Sequence, residues 1–104
     1  MMQKKKQAIR IETPKISEIL LEEFMKPLHI SAYKLAHAIK VPISRIQDIL
    51  HDRRKITVDT SIRLGIYFGV SELFFLKIQN DIDMRNEKAL HEDEYLSIIP
   101  VISK

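Results

Sequence analysis

The chain contains no cysteine, which excludes a disulfide framework and thiolate metal sites and fits a reducing cytoplasm. No apolar run approaches the roughly 20 residues that a membrane span requires, and the start, MMQKKKQ, lacks the hydrophobic stretch of a secretory signal. A soluble, cytoplasmic protein with no membrane association is expected. Signatures of catalysis are missing too. His29, His37, His51 and His91 fall at no metal-ligand spacing, and neither a P-loop nor a nucleophile motif is present. The Glu22-Glu23 pair has no acid or base partner at a useful spacing and reads as a solvated face. Neither enzyme activity nor a cofactor or metal is expected.

What is there is a modest core and a segregated charge. At 104 residues and 45% apolar content, the chain has room for one domain. Its net charge of +3 conceals larger local values. Residues 1–15 carry five Lys/Arg against one acid, and residues 31–56 carry six against two; residues 16–30 carry one Lys against three Glu, and residues 80–104 carry three basic against six acidic. Positive charge therefore gathers where a phosphate backbone would be met, and the acidic tail faces away from it.

The chain is organised around residues 31–54, SAYKLAHAIKVPISRIQDILHDRR. Leu35, Ala36 and Ile39 stripe one short helix, and Ile43, Ile46, Ile49 and Leu50 stripe the next. Two such helices joined by a tight corner make a helix-turn-helix. Ser31 can cap the first helix. Pro42 suits the first turn of the second. Lys40 occupies a corner where a left-handed residue is commonly needed, at a cost of about 1 kcal/mol without glycine. Ile43, Ser44, Arg45, Gln47, Asp48 and His51 are the candidate base-reading positions, on a rod narrow enough for a major groove. Ser31, Tyr33, Lys34, Arg53, Arg54 and Lys55 are the candidate phosphate contacts. Packing is an equal reading for Tyr33, and Arg53 or Arg54 can instead pair with Asp48 or Asp52.

Three segments follow from these patterns. Residues 1–15 form a basic arm, read as mobile, which either solubilises the terminus or brings Lys4, Lys5, Lys6 and Arg10 to phosphates or a minor groove; Ile9 and Ile11 can form a short strand. Residues 16–84 form the helical domain. Its first helix, marked by Ile16, Ile19, Leu20 and Phe24, is stopped by Pro27, and Thr57 caps a fourth whose Ile62, Leu64, Ile66 and Phe68 supply core before Gly69 ends it. A fifth helix begins at Ser71-Glu72 and carries too many apolar residues for one stripe. Phe74, Phe75, Ile78 and Ile82, with Tyr95 and Ile98 farther on, are the candidate dimer or partner surface, the other reading being a helix buried on two sides. Residues 85–104 form an acidic tail. The fifth helix is expected to fray between Arg85 and Leu90, and EYLSIIPVIS suits an edge strand whose mate is a second copy, a partner protein or the Ile9–Ile11 stretch.

Residues 16–84 resemble HigA-family (VapI-like) antitoxins of the XRE helix-turn-helix group. The resemblance is carried by EILLEEF followed by KPL (Glu18 to Leu28), SRI (Ser44 to Ile46), ITVDTSIRL (Ile56 to Leu64) and YFGVSELFFLKIQ (Tyr67 to Gln79). It implies an all-α, five-helix, λ-repressor-like fold and a homodimer on a palindromic operator in double-stranded DNA. It also implies a HigB toxin partner, a RelE-like endoribonuclease neutralised by the antitoxin. Lys40 replaces the frequent corner glycine, Phe75 stands where many relatives have tryptophan, and the tail after Arg85 matches no family pattern.

In this reading Lys34, Arg53, Arg54 and Lys55 supply salt-sensitive affinity by counterion release. Arg45 on guanine and Gln47 on adenine choose the sequence, each contributing roughly 1–3 kcal/mol of discrimination. Asp48 either accepts a cytosine amino proton or, as favoured here, steadies Arg45. One copy reads one half-site, so specificity needs two copies about 34 Å apart. The alternatives are a solitary regulator without a toxin and a protein-binding module with weak DNA affinity.

Overall fold

The computed structural model describes residues 14–102; the roles expected of Lys4, Lys5, Lys6, Arg10 and the Ile9–Ile11 stretch lie outside them. Helix α1 (Ile16–Glu18) runs directly into a π-helical stretch (Ile19–Met25), whose last wide turn is closed by the Lys26 amide donating to the Leu21 carbonyl at 2.9 Å. Bonds of this i→i−5 type bring residues five apart onto one side, so Leu20 and Met25 are both buried. Pro27 follows in the turn, as its missing N–H requires.

Helix α2 (Ala32–Ile39) is capped by Ser31, whose Oγ accepts from the Lys34 amide at 3.0 Å. Lys40 ends it in the expected left-handed conformation (φ 61°), with the Val41 amide donating back to the Ala36 carbonyl at 3.0 Å. Pro42 then sits immediately before α3 (Ile43–Leu50), its φ of −63° already helical. Asp52 (φ 62°) ends α3 in the same way, the Arg53 amide reaching the Asp48 carbonyl at 2.7 Å. Both corners thus use a non-glycine residue in a strained region, which tertiary packing offsets.

Thr57 caps α4 (Val58–Phe68) by accepting from the Thr60 amide at 3.3 Å, and Gly69 (φ 73°) terminates it. Ser61 joins this helix to α5 (Phe74–Leu90): its Oγ donates to the Glu72 carbonyl at 2.6 Å and accepts from the Leu76 amide at 3.0 Å. A short α6 (Glu92–Leu96) follows. The core joins Ile16, Leu20, Met25, Leu35, Ala36, Ile39, Ile46, Ile49, Ile56, Leu64 and Phe75. Phe24, Phe68, Phe74 and Phe75 form an aromatic cluster around it, Phe24 lying 4.9–5.7 Å from the other three ring centroids. The expected all-helical architecture is therefore found, and no helix among the described residues is long and apolar enough to cross a membrane.

Four expectations need correction. No strand occurs among the described residues; Tyr95 and Leu96 lie in α6, whose first turn holds Glu92, Asp93 and Glu94, acids that favour a helix N-terminus. Helix α5 does not fray at Arg85 but continues to Leu90 through RNEKAL, mostly good helix formers. Ile62 and Ile66 are not core, Ile66 being 67% exposed, because α4 turns Thr60, Ser61, Leu64 and Gly65 inward instead. Phe75 cannot offer a partner surface, since its ring is fully buried beneath Phe24 and Phe68, while Phe74, Ile78 and Ile82 pack partly against the same core. Much of the apolar surplus of α5 is thus taken up within the protomer.

Candidate nucleic-acid interface

Helix α3 turns Ile46 and Ile49 completely inward, and that burial fixes what it leaves out. Ser44, Gln47 and His51, spaced by three and four residues, are exposed along one stripe, with Ile43 exposed at its start. His51 is oriented by its own helix: Nδ1 donates to the Gln47 carbonyl at 2.8 Å, which assigns the tautomer of the neutral ring and leaves Nε2 outward. Hydrogen-bonding groups of both kinds therefore project from a single rod, as reading of base edges requires.

Arg45 is placed differently from its neighbours. Its side chain is 26% exposed, and Nη1 donates to Asp59 Oδ2 at 2.7 Å. The same oxygen accepts from Arg63 Nε at 2.9 Å, and Arg63 Nη1 donates to the carbonyls of Ile39 at 2.9 Å and Lys40 at 3.4 Å. The end of α2, the first turn of α3 and the first turn of α4 are thereby tied together. Donation by Arg45 and then Arg63 holds the Asp59 carboxyl below the usual carboxylate range. Sequence reading took Asp48 as the acid that steadies Arg45. Asp48 instead binds Arg53, whose Nε and Nη2 lie 3.1 and 3.0 Å from its Oδ1, because the left-handed turn at Asp52 folds Arg53 back over the end of α3. Asp59 and Arg63 were missed; the i, i+4 spacing of that pair in VDTSIRL was the available signal.

The cationic loop after α3 is braced. Asp52 accepts from Ser17 Oγ at 2.7 Å and lies 3.6 Å from Lys15 Nζ, and Lys55 Nζ lies 3.4 Å from Asp83 Oδ2 on α5. The Ile56 amide donates to Gln79 Oε1 at 3.1 Å, so the loop is also tied to α5 through a buried side chain. Of the expected loop cations, Arg53 and Lys55 have carboxylate partners, while Arg54 has none among the described residues and stands exposed between them. At the start of α2, Tyr33 and Lys34 are exposed, Tyr33 stacking on His37 at 6.1 Å between ring centroids, and the Ser31 hydroxyl is engaged as a cap. Tyr95 and Ile98 are exposed on the tail, away from the core.

The fold has close counterparts. A helix-turn-helix family model matches residues 21–75. Virulence-associated protein I of Dichelobacter nodosus is 44% identical over 68 residues, 65% of this chain and 63% of that protein, so the match spans a little under two thirds of its length. The antitoxin HigA of Pseudomonas aeruginosa, solved with the higBA promoter, superposes with a TM-score of 0.79 at 32% identity, covering 88% of this chain and all of that one. An addiction module antidote protein of the HigA family from Coxiella burnetii gives 0.78 at 30% identity, covering 86% and 99%. The chain belongs to the HigA group of the helix-turn-helix family.

Proposed function

We propose that the protein is a sequence-specific DNA-binding antitoxin of the cytoplasm, which as a homodimer represses its own operon and neutralises a RelE-like, mRNA-cleaving toxin. The observation that carries the DNA-binding part is the outer face of α3. Ser44, Gln47 and His51 project from a helix whose other side is locked in the core, with an ordered arginine beside them. The relative solved on promoter DNA supports the same reading. Ser44, Arg45 and Gln47 choose the sequence, with Ile43 at the edge of the face and His51 Nε2 as a further contact. Arg54 and Lys34 supply affinity that does not depend on sequence, and Arg53 and Lys55 do so from their carboxylate partners.

Dimerisation is assigned to the tail. Leu90, Tyr95, Leu96, Ile98, Ile99, Val101 and Ile102 are all exposed, more apolar surface than a short segment leaves open without a partner. Two copies then present two α3 helices about 34 Å apart, the spacing of successive major grooves on one side of a duplex. The test joins both halves. The protein and the product of the adjacent open reading frame are co-expressed, and the complex is offered the upstream intergenic duplex. Co-purification of a small basic product that arrests translation when expressed alone, together with a shift of that duplex, is the expected result. A shift without any such product leaves a solitary regulator.

A further inference from the structure

We infer that Asp59 is a specificity-determining positioning residue, which holds Arg45 in the pose from which that side chain reads a base; this rests on the reading of Arg45 as a base contact. A single oxygen, Asp59 Oδ2, accepts from both Arg45 Nη1 (2.7 Å) and Arg63 Nε (2.9 Å). Arg63 is in turn fixed to the Ile39 and Lys40 carbonyls, so the carboxylate is anchored to the corner of the helix-turn-helix rather than to a movable side chain. Arg45 has five N–H donors, and the Asp59 contact uses one of them. The remaining donors can still reach the O6 and N7 acceptors of a guanine.

Order is the physical consequence. A free arginine loses its rotamer freedom when it docks on a base, and that loss weakens the contact. Arg45 loses it on folding instead. Two guanidiniums around one carboxylate leave a net positive charge, so the cluster still attracts the duplex. Asp48, the nearer acid in sequence, is engaged by Arg53 and cannot substitute. Without Asp59, Arg45 swings freely, meets phosphates on any sequence and discriminates poorly.

The experiment begins by selecting a duplex with the wild-type protein from a randomised pool of about 30 base pairs, long enough for two half-sites. Affinities for this duplex and a scrambled one of equal composition are then measured by fluorescence anisotropy at fixed salt. Asp59→Asn is expected to lower the selected-to-scrambled ratio about tenfold, with binding to the scrambled duplex unchanged or stronger. Asp59→Glu, which keeps the charge at the start of α4, lowers the ratio as well because its carboxylate lies one bond farther out. In the Arg45→Ala background, Asp59→Asn causes no further loss. If Arg45→Ala loses the ratio while both Asp59 variants keep it, the inference fails and the reading of Arg45 stands. If Arg45→Ala itself keeps the ratio, that reading fails and takes the inference with it. Equal weakening on both duplexes by the Asp59 variants marks a merely structural role and also overturns the inference.

Discussion

Arg45 and Arg54 differ in surroundings more than in chemistry, and the difference assigns their work. Arg45 is ordered and three-quarters shielded, whereas Arg54 is exposed with no carboxylate beside it among the described residues. Arg45→Ala is therefore expected to remove preference for the selected duplex, about tenfold or more, and to spare most binding to a scrambled one. Arg54→Ala is expected to weaken both together and to lower the slope of log affinity against log salt by about two, one for each protomer of the dimer. Gel-shift titrations on both duplexes at several salt concentrations check the division; equal losses from both variants on both duplexes contradict it. Asp59 adds a pH signature. Arg45 first, then Arg63, lower its carboxyl pKa on folding, so the stability it contributes is present above the unfolded value of about 3.9 and is lost as pH falls through the lowered folded value. The thermal midpoints of wild type and Asp59→Asn should converge as pH drops through that range, and a gap that stays constant down to pH about 2 contradicts the pairing. At this scale, local rules were legible in the sequence. Ser31, Thr57 and Gly69 each do what their chemistry at a helix end dictates, and Lys40 takes the left-handed corner that its position demands. The Arg45–Asp59 contact was not, because it spans 14 residues and depends on how α3 and α4 pack.

Between elements, two residues carry connections that periodicity does not reveal. Gly65 lies where α4 meets the entry to α5: a Cβ there would stand 2.7 Å from the Ser71 carbonyl oxygen and 2.8 Å from the Glu72 Cα, both backbone atoms that cannot move aside alone. Gly65→Ala is expected to destabilise the fold by about 1–3 kcal/mol, measured by urea unfolding. Gln79 accepts from the Ile56 amide at 3.1 Å and donates to Asp83 at the same distance, linking the cationic loop to α5. Replacing it with leucine leaves the Ile56 amide buried and unpaired, a cost of about 1–3 kcal/mol in the same assay. The amphipathic stripes of α2 and α3 were legible because they alternate polar and apolar at helical spacing. The tail was misread as a strand because its β-branched residues, Ile98, Ile99, Val101 and Ile102, dominate the composition, whereas Tyr95 and Leu96 complete a helix begun by an acidic turn and residues 98–102 form no regular element.

As a whole molecule, the described residues span 48 × 37 × 22 Å, with a core confined to residues 16–82 and every described residue from Met84 to Ile102 exposed. Deleting residues 91–104 should thus leave a cooperatively folded protomer by circular dichroism, since no described residue there belongs to the core, with the thermal midpoint lowered only by what dimerisation contributed. The same deletion should convert a dimer to a monomer by light scattering and weaken binding to a two-half-site duplex about 100-fold through lost avidity. A truncated chain that stays dimeric contradicts the assignment of the tail. The charge segregation seen in the sequence falls on separate elements: Arg53, Arg54 and Lys55 follow α3 directly, whereas Glu92, Asp93 and Glu94 lie on α6. The central claim, that α3 enters the major groove once per half-site, is tested most directly by methylation interference at guanine N7 on the selected duplex. Two patches of interference centred about 34 Å apart are predicted for the wild type, with one guanine dropping out of each patch for Arg45→Ala. A single patch, or an unchanged pattern in the variant, contradicts it.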